Sequence, residues 1–328
     1  MQQHRTIPKR LASPGPRAPT IGAVFALSAA LFSLAACGGT PVEFLSVGTG
    51  GTGGIYYPLG GAIASMLSTA DPARQYTAEV TGGSVENIAR IAAGQIDLGF
   101  AIGTSARAAF DGGGEIEAVP ELRIIAPLYP NVAHVLVHDR AGIATLHDLA
   151  GKTVSVGSAG SGTEQFSRHL LEAYGLDYDE IDERYLSFSE SSSALRDGAI
   201  DAAIFSVGYP AAAVLEATTN APVSLMPVAH ADAERLRATY PFYTPAVIPG
   251  GTYAGIDADL PTVAVMNWMV GSEHLDDATV IALLDALRDR RDELVRVNEI
   301  ARQIDLAALA DAPIPLHPAA ERWLEQNR

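Results

Sequence analysis

Three glycine-rich segments offer main-chain chemistry: Gly48-Thr-Gly-Gly-Thr-Gly-Gly54, Thr81-Gly-Gly-Ser84 and Gly157-Ser-Ala-Gly-Ser-Gly-Thr163. Glycine admits φ > 0 and lets ligand atoms approach the backbone. Each segment stands between a predicted strand and a predicted helix. There the first N–H groups lack intrahelical acceptors and the helix dipole favours negative charge. Serine and threonine add hydroxyl donors without adding charge. The chemistry such loops do is to hold an anion, and three of them suggest a cleft between two facing units. The plainer alternative is that the glycines only make tight turns. A rival is the dinucleotide fingerprint, because Gly48-x-Gly50-x-x-Gly53 follows a strand and precedes a helix. Glu79, the nearest acid on the next strand, lies before that strand's end.

Other constellations carry less. No serine has glycine at both −2 and +2, as a hydrolase elbow requires. Gly151-Lys152-Thr153 looks like the end of a P-loop, but position 146 is Leu and the segment precedes its strand. His134 and His138 share one face of a strand, a spacing that admits a zinc pair but fits packed or surface histidines better. Asp97 and Asp201 occupy similar places in the two halves, each placed to cap or orient its turn. Arg90, Arg168 and Arg196 read as helix-surface residues. Tyr56 and Tyr57 follow the first glycine loop with Pro58 in the first helical turn. Tyr56 is the candidate to face a ligand. Tyr129 and Tyr209 are similar candidates, each preceding a proline at a predicted strand end.

These residues need elements to position them. Strands are expected at 42–47, 76–80, 96–100, 123–128, 132–137, 152–156, 184–186, 201–205, 223–226 and 262–269. Helices are expected after each glycine loop, at 191–196, from 209, near 277–297 and at 318–326. Alternating strands and helices imply parallel α/β sheets. The plan repeats: GQIDLGF at 94–100 matches GAIDAAIF at 198–205, each after a helix ending at a glycine C-cap. The reading is two similar α/β lobes.

The N-terminus speaks to compartment. Residues 1–20 carry Arg5, Lys9, Arg10 and Arg17 and no acid, and residues 21–36 form an uncharged apolar run. This is the layout of a secretory signal, too short for a span of about 20 residues. Leu34-Ala35-Ala36-Cys37 resembles a bacterial lipobox, so lipidation is expected at Cys37, the single cysteine. Cysteine catalysis and cysteine metal sites are then excluded from the folded part. All 38 acids follow position 42 while four of the 22 bases precede position 21, so 18 bases face 38 acids, a net charge of −20. A nucleic-acid partner is excluded by that balance. Any anion must be attracted by local donors against the overall field.

GTGGTGGIYYPLGG (48–61), TGGSVENIARIAAGQIDLGF (81–100), LRIIAPLYP (122–130), LAGKTVSVGSAGSGTE (149–164), LSFSESSSALRDGAIDAAIFSVGYP (186–210), IPGGTYAG (248–255) and PIPLHPAAERW (313–323) together resemble the TAXI family. These are extracytoplasmic solute receptors of TRAP transporters, and the resemblance runs from about 43 to 324. It implies a two-lobed, type II periplasmic-binding-protein-like α/β fold with the ligand cleft between the lobes. With the N-terminal residues read as a signal peptide over 1–36 and a lipidated tether over 37–42, it implies a first lobe from 43–139 and 246–328 and a second lobe over 140–245. Carried over by motif, Gly51, Thr52, Gly53, Gly54 and Tyr56, then Thr81, Ser84 and Asn87, then Ser158, Gly160, Ser161, Gly162 and Thr163, and finally Tyr209, meet the ligand. Ile55 departs from the family's usual Thr or Ser. The implied protein is a non-enzymatic, cofactor-free monomer on the periplasmic face of a bacterial membrane. It hands a small carboxylate, whether a glutamate- or glutamine-like amino acid, a dicarboxylate or a keto acid, to a TRAP permease. The alternative partner is a membrane receptor kinase.

Overall fold

The computed structural model describes residues 42–112 and 117–327. The expected signal segment and Cys37 lie outside the described residues. Two long strands carry the architecture. β4 (Leu122–His138) and β10 (Leu260–Ser272) run antiparallel through the middle of one mixed sheet. Beside β10 lie β3 (Leu98–Ile102), β1 (Glu43–Gly48) and β2 (Arg74–Glu79); beside β4 lie β7 (Ala202–Val207), β5 (Thr153–Ser155) and β6 (Asp182–Arg184). β8 (Val223–Met226) adds to β4 and β9 (Tyr243–Ile248) to β10. The outer strands β2–β1–β3 and β6–β5–β7 are parallel among themselves, as strand–helix alternation predicts.

The helices fill in between. α1 (Tyr56–Ala70), α2 (Ser84–Ala92) and α3 (Gly103–Asp111) belong to the first series, and α4 (Gly162–Ala173), α5 (Phe188–Arg196), α6 (Ala212–Asn220) and α7 (His230–Thr239) to the second. The chain closes with α8 (Asp277–Asp289), α9 (Arg291–Val297) and α10 (Pro318–Gln326). One buried cluster centres on Leu59, Ile63, Phe100, Leu122 and Trp268, the other on Val154, Phe166, Leu170, Ile204 and Tyr243.

The repeated plan is visible atom by atom. Ser46 N donates to Asp97 Oδ2 at 2.7 Å, and Thr153 N donates to Asp201 Oδ2 at 3.0 Å. Each aspartate ties the start of its short strand to the neighbouring strand. α2 and α5 end alike: Gln95 N reaches Arg90 O and Ala199 N reaches Ala194 O, both at 2.8 Å, around Gly94 (φ 65°) and Gly198 (φ 68°). This is a Schellman closure, which needs the left-handed conformation glycine supplies.

Some expectations change. The two strands expected at 123–128 and 132–137 are one strand of 17 residues. Pro127 and Pro130 suggested a break, but they face Trp268 and Met266 across a register shift in β10, where a missing N–H is tolerated. The stretch expected as one helix near 277–297 divides at Arg290 into α8 and α9. α7 and β9 had no counterpart in the sequence reading. α7 buries only Ala233 and Leu236, and β9 is an edge strand carrying Pro245.

Candidate ligand-binding site

The three glycine loops converge on a cavity of about 50 Å³ between the two strand–helix series. Of the expected contacts, Gly51, Gly54, Tyr56, Ser84, Ser158, Ser161, Gly162 and Thr163 line it. Thr52, Gly53, Thr81, Asn87, Gly160 and Tyr209 do not.

Each exception has a physical reason, Tyr209 being half-buried and packed against the first core cluster. Asn87 is fully buried and its amide is spent on the backbone: Nδ2 donates to Thr49 O (2.7 Å) and Phe100 O (2.9 Å), while Oδ1 accepts from Thr81 Oγ1 (2.7 Å). Thr81 and Asn87 therefore brace the first two loops from behind. Gly48 makes room for that brace, since a Cβ there would lie 2.5 Å from Asn87 Oδ1. Thr52 is exposed. Gly53 packs on α5 instead, where a Cβ would lie 2.5 Å from Ser189 Oγ. Gly160 contributes its carbonyl to the closure described below.

Four helix N-termini meet at the cavity: Ile55 and Tyr56 of α1, Gly83 and Ser84 of α2, Ser161 and Gly162 of α4, and Ser187 and Phe188 of α5. The last two helices cap themselves. Ser161 Oγ accepts from Glu164 N (3.0 Å), and Ser187 Oγ from Glu190 N (3.3 Å). Neither Ile55 nor Gly83 provides a side-chain cap. Apart from Glu86, answered by Gly160 O, and Pro58, which has no N–H, the first-turn amides of α1 and α2 therefore present positive partial charge without an acceptor in their own helix.

The floor is a chain of polar side chains on the central strands. Tyr56 Oη donates to Asn267 Oδ1, Asn267 Nδ2 donates to Asn131 Oδ1 (2.7 Å), and Asn131 Nδ2 donates to Ser206 O (2.9 Å). Tyr129 also lines the cavity, fully buried, and its hydroxyl has no partner among the described residues. Burial pushes both the Tyr56 and Tyr129 phenols well above the usual value, so each stays protonated and able to donate. Tyr56 packs on Phe100 with ring centroids 4.8 Å apart, whereas Tyr57 is exposed.

Gly82, Gly83, Ile102, Tyr129, Asn131, Ser187, Phe188, Ser206 and Val207 complete the wall and were not among the expected contacts; Ile55, noted only as a departure, also lines it. Ser187 was within reach of the sequence. The repeat that aligns Gly94 with Gly198 aligns Gly83 with Ser187, so the second half's counterpart of the TGGS turn lies there.

The two series touch around the cavity. Glu86 N donates to Gly160 O (3.0 Å), Ser105 Oγ to Gln165 Oε1 (2.7 Å) and Ala213 N to Gly53 O (3.3 Å). A Cβ on Gly162 would lie 2.6 Å from Ser84 Oγ, and one on Gly82 2.9 Å from Ala159 O. This is a closed cleft. His134, half of the candidate zinc pair, has both ring nitrogens engaged, Nδ1 with Val132 O (3.1 Å) and Nε2 with Tyr253 Oη (2.9 Å). Among the described residues no three His, Cys, Asp or Glu side chains group to hold a metal, and no helix is long and apolar enough to cross a membrane.

The model of the NMT1-like family matches residues 47–327. The chain belongs to the NMT1-like family. Two solved structures with TM-scores above 0.5 share its fold. One is MatC from Rhodopseudomonas palustris with bound malate, 14% identical, covering 87% of this chain and 99% of that one with a TM-score of 0.57. A protein from Bordetella bronchiseptica RB50 is 18% identical, covering 86% and 82%, with a TM-score of 0.52. The alkanesulfonate-binding protein SsuA from Xanthomonas axonopodis pv. citri, bound to MOPS, is 17% identical over 84% of each chain, with a TM-score of 0.48. The two-lobed α/β fold of this NMT1-like chain is the one it shares with the MatC and Bordetella bronchiseptica structures.

Proposed function

We propose that this chain is an extracytoplasmic solute-binding protein of TAXI type, which captures a small carboxylate in the cleft and delivers it to a TRAP permease driven by an ion gradient. The observation that carries the reading is the closed cavity on which four helix N-termini converge, two of them without caps of their own. With 18 bases against 38 acids after the leader, the protein's field repels anions. Capture then depends on short-range donors that act only inside the cleft. The reading assigns no catalytic step. It includes lobes of 43–139 with 246–328 and of 140–245, a lipid on Cys37, and a monomer at the periplasmic face of the membrane.

Binding closes the lobes because the ligand touches both, which supplies its differential affinity for the closed state. A ligand at 100 times its dissociation constant stabilises the native state by about 2.7 kcal/mol. The test is a thermal-shift panel of amino acids, keto acids and dicarboxylates, followed by small-angle scattering with any hit. A midpoint rise of several degrees with compaction is expected. No rise across the panel, together with no small molecule co-purifying with the protein, would sink the reading. Uptake into proteoliposomes that needs ATP instead of an ion gradient would overturn the permease class alone.

A further inference from the structure

We infer that the cleft selects a small monocarboxylate bearing a hydroxyl or keto oxygen and rejects the corresponding amino acid. The inference rests on the solute-binding reading and narrows its ligand class.

No residue lining the cavity is Asp, Glu, Lys, Arg or His. An ammonium group brings three donors and no acceptor, and buried without a counter-charge it is strongly disfavoured. Four acceptors in the wall are already engaged. Gly51 O accepts from Gly54 N (3.2 Å), Ser158 O from Ser161 N (3.1 Å), and Ser206 O from Asn131 Nδ2 (2.9 Å). Asn131 Oδ1 accepts from Asn267. Converging helix N-termini add positive potential, which repels a cation a second time.

Of the groups left open, the main-chain N–H groups can only donate. First-turn amides of α1 and α2 suit a carboxylate. The Tyr129 hydroxyl, buried and without a partner, calls for an oxygen acceptor elsewhere on the same molecule. The room left in this form, a cavity of about 50 Å³, favours a small acid over a larger one.

Lactate and alanine are matched in shape and differ in hydroxyl against ammonium, so the pair isolates the inference. Calorimetry on the purified full-length chain should show lactate and pyruvate binding at least about 100-fold more tightly than alanine and glycine. Tyr129→Phe should weaken lactate about 10-fold while leaving the thermal midpoint of the unliganded protein unchanged or higher, because the orphan hydroxyl is gone. Alanine binding as tightly as lactate overturns the inference. So does the absence of binding by all four probes. In either case a hit among larger amino acids or dicarboxylates keeps the solute-binding reading intact, and only silence across that wider panel removes both.

Discussion

The two halves run the same plan but start the helices that meet at the cavity differently. In the first, α1 and α2 begin at Ile55 and Gly83, which offer no side-chain cap; in the second, α4 and α5 begin at Ser161 and Ser187, which cap themselves. A serine cap satisfies a first-turn amide inside its own half, whatever is bound. An uncapped helix leaves its amides for something outside it. One of these is already answered across the cleft, by Gly160 O on Glu86 N. The difference teaches that the first half is built to hold and the second to shut.

The largest expected effect comes from blocking the shutting. Gly162 has no positive φ, so alanine suits its backbone, but the added methyl would lie 2.6 Å from Ser84 Oγ and 2.9 Å from Ile102 Cδ1 in the closed form. Gly162→Ala should weaken ligand binding by about 100-fold, and scattering should find it open with ligand present. A variant that still compacts would show that the Ser84–Gly162 approach does not control closure.

Acid should separate the halves next. Burial lowers His134 to about 3 and His169 to about 4. His169 packs on Tyr243 of the second core and His134 lies on β4 where it pairs with β7. Both are neutral when folded and near 6.5 when unfolded, so the unfolded state binds the extra proton. Stability is therefore full above pH 6.5 and is lost as pH falls toward 3 or 4. For His134 the loss between pH 7.5 and 4.5 is about 3 kcal/mol, measurable by urea unfolding. Hydrogen exchange should loosen first around β7 and α4; first-half amides exchanging earlier would break the comparison.

Removing a cap sharpens the contrast more gently. Ser187→Ala should cost about 1 kcal/mol in urea unfolding, with the exchange of α5's first turn accelerated and α2 untouched. An equal effect at α2 would mean that the halves share their caps through the cleft. The smallest effect is expected at Thr52, which is exposed and off the cavity wall. Thr52→Ala should change affinity less than twofold and stability by less than about 0.5 kcal/mol. A larger change in calorimetry would put the first loop's tip back into the site.

Much of this was legible in the sequence because it is local. The glycine loops between strand and helix, the paired C-caps at Gly94 and Gly198, and the orienting roles of Asp97 and Asp201 depend on neighbours a few positions away or on the repeat. What escaped depends on distant packing. Asn87 sits on the helix that follows TGGS and reads as a ligand contact, yet the fold aims its amide at the carbonyls of Thr49 and Phe100. Tyr129 and Asn131 enter the cavity only because β4 passes unbroken beneath it, which Pro130 disguised. α7 was hidden by its polarity and β9 by its proline.

The placement of β10 has a consequence for the order in which the molecule is made. Among the described residues β10 stands between β3 and β4, so residues 260–272 join the strands of the first half to those of the second. A nascent chain lacking them holds two separate sheets with raw edges at β3 and β4, and edges of that kind template unwanted pairing. Closing them needs contacts between strands more than 130 residues apart in sequence, which is slow. For a polypeptide proposed to leave the cytoplasm, that lateness keeps the chain threadable until nearly all of it has been synthesised.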